Sequence, residues 1–500
     1  MANDVAFNNI PGNILVPFWY AEINSGGSPF ENVPRVILFG QKTADGSAPA
    51  GKVIGPIASA AEADAYFGVG SMLAMMYRRA RLTAPFQPLW AMPLADPVGA
   101  FAAGSFTFTA PGVTGAAILR IMGRRYAFQV NAAHTAAQVA ANAAATINAA
   151  NLAVTAAVDG TDTSKVIFTA RHKGAVSNGQ QVDIARGEPN ALTDDNTTVV
   201  ALTGGSGVPD LIAPLANLGD DEYDCIASPY TDTPSLDAFR DFLDDVSGRW
   251  SPSKQLYGHH FSCFYGNLSS CVALTNARND QHSSIVLWQR SPTPEWEICA
   301  GAAAQAAAHL GDAPEVSRPL QTLPLPGALP PDDRSLWWDI DDRQALYSDG
   351  GSALKVRTDN VVIIDRINTT YQQTAAGVPD ATFRNVETMF QLMFVVRYLR
   401  TAVSNRHSRQ ALADENPYNL AEITTPDDIR NTLIHAYNDL VRLGVCEKAE
   451  LFARYVVVSR DPNNADRANA YLPTDVVNQL RVFGANITAF LEYPLSGAAQ

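Results

Sequence analysis

Residues 35–40 read RVILFG and residues 88–94 read PLWAMPL. Each is a continuous apolar run of buried-strand length, with no alternation of apolar and polar positions. Between them lies an Ala-rich stretch, IASAAEADAYFGVGSMLAMMYRRARL (57–82), that reads as a helix. Strand, helix and strand in this order form a β-α-β unit, with a parallel sheet as its product. The fold class expected from it is α/β (mixed α+β).

The same pattern continues downstream of residue 203. YDCIASPY (223–230), LYGHHFSCFYG (256–266) and SSIVLWQ (283–289) read as strands, and PSLDAFRDFLDDVSGRW (234–250) and EICAGAAAQAAAHLG (297–311) as helices. Residues 314–333 carry six prolines and read as a rigid surface excursion. FRNVETMFQLMFVVRYLRTAV (383–403) is the longest helix expected, with Val386, Met389, Phe390, Met393, Phe394 and Val396 at helical spacing. A further helix from about Pro426 to Leu443 opens on the capping signal TTPDD (424–428). ARYVVVSR (453–460) is strand-like.

Residues 100–200 differ in composition from both flanks. AAILRIMGRRYAFQVN (116–131) suggests two strands around a Gly-Arg-Arg turn, TAAQVAANAAATINAAN (135–151) a helix, and LAVTAAVDGTDTSKVIFTAR (152–171) a hairpin. A compact ββαββ module inserted into the parent domain accounts for them. Near the ends of the chain, VPFWYAEI (16–23) and NQLRVFGANITAFLEY (478–493) are β-prone. A lone strand must pair with something, in its own chain or another.

Composition excludes several classes. Lys plus Arg number 36 and Asp plus Glu 50, for a net charge of −14, the opposite of what binding to a nucleic-acid backbone requires. No run reaches the 18 or more apolar residues of a membrane span. The first residues, MANDVAFNNIPGN, lack a basic and an apolar segment in sequence, so no secretory signal is expected. Five scattered cysteines make no disulfide framework.

The motifs that suggest chemistry are weak. LTGGSGVPDL (202–211) offers glycines for a phosphate loop, but it has no lysine and Pro209 removes an amide donor. Val208 stands where a nucleophile elbow needs glycine. The plain reading is a turn that ends the module, with PDL starting a helix and Pro209 near its first position. His259 and His260 fall on opposite faces of a strand, so they cannot share one metal. Cys263 could meet a histidine only in the fold, and a cysteine in an aromatic strand is more often inert core. Asp365, ending NVVIIDR (360–366), resembles a magnesium-holding acid, but Asp365 and Arg366 read better as a structural ion pair. No catalytic residue, cofactor or metal is expected.

One local charge feature runs against the acidic whole. From Arg384 to Arg409 there are five arginines, Arg384, Arg397, Arg400, Arg406 and Arg409, against the single acid Glu387. They form either a solvated helix face or a contact for an acidic protein partner.

VVIIDRINTTYQ (361–372), followed by GVPDATFRNVETMFQLMFVVRYLRTAV (377–403), resembles the signature of contractile phage tail sheath proteins. GGSGVPDL followed by LGDDEYDCIASPYTDTPSL (218–236), and the opening FNNIPGNILVPFWYAEIN (7–24), are similar to the Mu-like branch. The resemblance spans nearly the whole chain and is strongest over 203–412. It implies a non-enzymatic structural subunit that forms stacked rings around an inner tail tube and contracts, with baseplate and tail terminator proteins as further partners. It implies a place in the virion tail, assembled in the host cytoplasm, without direct nucleic-acid contact or membrane insertion. The division expected is an N-terminal arm (1–27), an α/β middle domain (28–100 with 203–365), the inserted outer module (101–202), a C-terminal core domain (366–478) and a C-terminal arm (479–500). Val16, Phe18, Tyr20, Leu480, Val482, Ile487 and Phe490 would lie on inter-subunit arm strands. Arg397, Arg400, Arg406 and Arg409 would supply the tube contact, with only the first pair or only the second making it. Two rivals stay open: a cytoplasmic α/β hydrolase or Cys-His enzyme, and another phage tail component.

Overall fold

The computed structural model describes residues 33–491. The chain enters a buried strand, β1 (Val36–Gln41), passes through two helices, α1 (Ala60–Phe67) and α2 (Met72–Thr83), and returns as β2 (Leu89–Leu94), parallel to β1. The stretch expected as one helix is two. Gly68 and Gly70 have φ of +86° and +75°, which turn the chain, and the Ser71 hydroxyl then caps α2 by accepting from the Ala74 amide.

The insertion follows at once. Its strands are β3 (Phe101–Phe108), β4 (Gly115–Ile121) and β5 (Arg124–Val130), then after helix α3 (Ala136–Ala149) β6 (Val154–Val158), β7 (Lys165–Lys173), β8 (Val182–Ile184) and β9 (Thr197–Thr203). They build two sheets, of order β6-β7-β3-β9 and β5-β4-β8. This corrects the ββαββ reading, which lacked β3, β8 and β9. The turn between β4 and β5 also differs: Met122 (φ +48°) and Gly123 (φ +74°) make it, and Arg124 and Arg125 are already in the strand. Helix α3 starts on a capping box between Thr135 and Gln138 and buries Val139, Ala143 and Ile147. Entry strand β3 pairs antiparallel with exit strand β9, so the module leaves the parent fold where it entered.

The parent fold resumes with a short helix α4 (Ile212–Ala216), which begins three residues beyond the expected Pro209 start. Then come β10 (Cys225–Ala227), α5 (Thr233–Leu243), β11 (His259–Tyr265), α6 (Leu268–Asn276), β12 (Ser283–Trp288), α7 (Glu295–His309), α8 (Ile340–Ser348), β13 (Ser352–Val356) and β14 (Val362–Arg366). The sheet order is β14-β13-β12-β11-β10-β1-β2, parallel except for the β13–β14 hairpin. Helices cover both faces. Phe39 packs edge-on against Phe239 of α5 at 5.6 Å, while a side chain on its neighbour Gly40 would strike Met76 of α2. The proline-rich segment is not a bare excursion: Val316, Leu320 and Leu325 are buried, and Pro324 bridges to Ile363.

Beyond the sheet, α9 (Val386–His407) is the longest helix among the described residues. Two-residue strands β15 (Ala411–Leu412) and β16 (Ile423–Thr424) lead into α10 (Pro426–Arg442), capped by Thr425 and Asp428. Helix α11 (Ala449–Tyr455) stacks Phe452 on Tyr437 of α10, with ring centroids 3.8 Å apart. The hairpin of β17 (Val457–Arg460) and β18 (Ala468–Tyr471) follows. Residues 478–491 contain no strand in the isolated chain.

Candidate assembly surfaces

The glycine loop is a clasp. Ala100 and Ser206 exchange backbone hydrogen bonds at 3.2 and 3.1 Å, and the Gly205 amide donates to Asn178 Oδ1 at 2.8 Å. The Gly207 carbonyl accepts from Ala175. A Cβ on Gly205 would sit 2.6 Å from the Gly174 carbonyl oxygen, so glycine is needed for close approach of two backbones. The Gly205 and Ser206 amides thus serve the join between module and parent fold, and a phosphate would have to displace those bonds.

The histidine and cysteine cluster is core. His259 lies beside Phe390 of α9, His260 stacks on Phe239 of α5 at 3.9 Å, and the two rings occupy opposite faces of the sheet. Their ring nitrogens meet Ser284 and Ser283 hydroxyls at 2.8 and 2.9 Å. Burial pushes His260 down to about 3 and His259 well below the usual imidazole range. Burial also lifts the Cys263 thiol well above its usual range, which disfavours the thiolate a nucleophilic cysteine needs. No group of three or more His, Cys, Asp or Glu among the described residues is arranged to hold a metal ion.

Asp365 does not pair with Arg366, because neighbours in a strand point to opposite faces. Its carboxylate accepts from Arg343 at 2.7 Å and from the Tyr347 hydroxyl at 2.6 Å, while Arg366 donates to Asn385.

The arginines at the end of α9 divide in two. Arg397 is buried and donates to Asp224 at 2.5 Å and Glu222 at 2.8 Å, with its guanidinium over the Tyr257 ring. Its guanidinium is thus committed to two carboxylates of its own subunit. Arg400 is exposed and reaches Glu222 at 3.8 Å. Arg406 and Arg409 are exposed without an ion pair among the described residues. No helix among the described residues is long and apolar enough to cross a membrane.

The arm residues divide as well. Val16, Phe18 and Tyr20 lie outside the described residues. Leu480, Val482, Ile487 and Phe490 are exposed, Ile487 at 87%, and Phe483 and Leu491 join them. Val482, Phe483, Ile487 and Leu491 put four large apolar side chains at the surface in the ten residues after Arg481. The stretch just before them is tied down. Val477 donates to the Val445 carbonyl, Gln391 of α9 donates to the Val477 carbonyl at 2.9 Å, and Arg481 donates to Glu387 of α9 at 2.5 Å. Glu387 and Gln391 were not singled out as contacts by sequence. The available signal was two polar residues four apart in the mostly apolar first half of the helix.

The model of the phage tail sheath protein central domain matches residues 204–369. The chain is 30% identical over 501 residues to the Mu-like prophage FluMu tail sheath protein of Haemophilus influenzae, covering 97% of this chain and 100% of that one. Among solved structures, a sheath tail protein from Desulfitobacterium hafniense is 14% identical, with a TM-score of 0.49 and coverage of 92% of this chain and 97% of the other. One from Listeria innocua is 13% identical, with a TM-score of 0.47 and coverage of 90% and 93%.

Proposed function

This chain belongs to the phage tail sheath family, and on that premise we propose that it polymerises as stacked rings around an inner tube. It is a structural subunit of a contractile tail sheath. Contraction drives the tube through the host envelope, and its energy lies in the difference between two packings of the same subunits, with no nucleotide consumed. The observation that carries this reading is the end-to-end match to a tail sheath protein.

In the finer reading, the subunit is non-enzymatic and contacts copies of itself, the inner tail tube, and the baseplate and terminator proteins. It assembles in the host cytoplasm and resides in the virion tail. The terminal arms, 1–27 and 479–500, add strands to neighbouring subunits, an arrangement supported by the exposed apolar side chains after Arg481. The module (101–202) sits on the outside of the sheath, and the α/β middle domain (28–100 with 203–365) carries it. The C-terminal core domain (366–478) meets the tube through Arg406 and Arg409, the second pair of the arginine cluster. Negative-stain electron microscopy of the purified full chain tests the whole proposal. Tubes or stacked rings are the expected result, and only monomers at every concentration and salt tried would overturn it.

A further inference from the structure

We infer that α9 is the strut on which both terminal segments are rooted, so that pull between a subunit's two neighbours passes through three buried side chains, Glu387, Gln391 and Arg397. This rests on the reading that the arms link subunits. Helix α9 is apolar on its packed side, with Val386, Met389, Phe390, Met393 and Phe394 buried there. Polar groups buried in such a helix cost free energy unless each finds a partner. All three find partners at the root of an arm.

The C-terminal root is held twice. Glu387, fully buried, accepts from Arg481 at 2.5 Å with one oxygen and from the Leu320 amide at 2.9 Å with the other. One turn on, Gln391, also fully buried, donates to the Val477 carbonyl and accepts from the Gln479 side chain at 3.0 Å. Val482 and Phe483, just beyond Arg481, are exposed.

The N-terminal root is held from the middle of the helix. Arg397 donates to Asp224 Oδ1, and Asp224 Oδ2 accepts from the Arg35 backbone amide at 2.8 Å. Pro34 packs on Gly311, where an added Cβ would sit 2.3 Å from its ring. The Arg35 guanidinium lies over Trp90 and 3.7 Å from Asp221. Glu387 and Arg397 are ten residues apart, roughly 15 Å along one rigid helix. Charged, hydrogen-bonded clamps at the first turn and the middle of that helix resist sliding in a way that apolar contact does not.

The test uses full-length chain assembled into sheaths and then sheared through a fixed orifice, with lengths measured by electron microscopy. Arg481→Gln and Gln479→Ala remove the C-terminal clamp from the arm side. Arg343→Gln, which breaks the Arg343–Asp365 pair remote from both arms, is the control for general destabilisation. Sheaths of the two clamp variants should break to about half the wild-type length or less, while the control stays near wild type. Isolated clamp-variant subunits should exchange amide hydrogens faster over 478–481 and keep their exchange elsewhere. If Arg481→Gln fails to fold, Gln479→Ala and the conservative Arg481→Lys carry the comparison. Clamp variants that shear no shorter than the control overturn the inference and leave the sheath reading standing. Wild-type chain that forms no sheath overturns both.

Discussion

His172 Nδ1 lies 3.0 Å from Asp96 Oδ1, a bond that fastens the inserted module to the parent fold. The imidazole's other nitrogen accepts from the Met72 amide at 3.0 Å, so the proton sits on Nδ1 and is donated to the carboxylate. Gln41, the last residue of β1, donates to the same Asp96 oxygen at 2.7 Å and to the Lys173 carbonyl at 2.8 Å. Burial opposes ionisation of Asp96, but the bonds from His172, Gln41 and Lys173 outweigh it and hold the carboxyl below its usual range.

Asp96→Asn should therefore destabilise the chain by about 1 kcal/mol or less at neutral pH, since a charged acceptor is lost from a network that solvent partly screens. A carboxyl whose folded value is depressed contributes stability above its unfolded value, about 3.9, and loses that contribution as pH falls through the folded value. The gap between wild type and variant, read from urea melts, should thus narrow toward about pH 3. A gap unchanged with pH would refute the charged-acceptor account.

The clasp predicts a contrast between two glycines. A Cβ on Gly99 would lie 2.0 Å from the Ser206 carbonyl oxygen, while one on Gly204 would meet nothing within 4 Å. Gly204→Ala should cost only its left-handed backbone, about 1–2 kcal/mol. Gly99→Ala must also force the join apart and should cost more, with faster hydrogen exchange at Ala100 and Ser206. Equal melting temperatures for the two variants would contradict the clasp.

His260 governs part of the acid limb. Its folded value is depressed to about 3 by burial, so its contribution is fully present above the unfolded value near 6.5 and is lost as pH falls from there. Each pH unit below about 6.5 should cost about 1.4 kcal/mol through this one residue. His260→Phe keeps the stacking on Phe239 and removes the titration, so its stability should fall less steeply between about pH 6 and 4. Parallel slopes for wild type and variant would show that His260 does not titrate on unfolding.

Much of the parent fold was legible because its signals are local. β1, β2, β11, β12 and β14 are apolar runs, α7, α9 and α10 carry helical patterns, and α10 has a readable cap. β3 was not legible: it holds Ala102, Ala103 and Gly104, and it is a strand because β7 and β9, with partners from 58 to 100 residues on, pair with it. Pairing across sequence also hid the role of Arg397, whose partners Glu222 and Asp224 lie 175 and 173 residues earlier. The turn at Gly68–Gly70 was missed for a different reason, since Ala-rich flanks outweighed two glycines in the pattern.

Replacing residues 101–203 with a short Gly-Ser linker should leave a chain that folds and polymerises. The ends to be joined already touch, since Ala100 and Ser206 exchange hydrogen bonds. Excision exposes Gln41 and Met72 and deletes the His172 contacts, so a lower melting temperature is expected. Loss of folding, read as loss of a cooperative thermal transition, would show that the module belongs to the core.

The arginine cluster now separates into a structural member and a candidate contact. Arg397 lies among Asp224, Glu222 and Tyr257, so Arg397→Glu would place a third carboxylate in a buried acidic pocket and leave Asp224 unpaired. Breaking a buried pair in this way costs about 3–5 kcal/mol, and the variant should fold poorly or not at all. Arg406 and Arg409 are exposed at the far end of α9, where reversal leaves the core untouched. The double variant Arg406→Glu, Arg409→Glu should therefore keep the wild-type melting temperature and still form sheath-only tubes. Its co-assembly with the inner tube should weaken, most visibly at low salt, where screening is least and an attraction turned to repulsion is felt furthest. Co-sedimentation of sheath with tube across a salt series reads this directly. Tube binding indistinguishable from wild type at every ionic strength would remove these two residues from the tube contact.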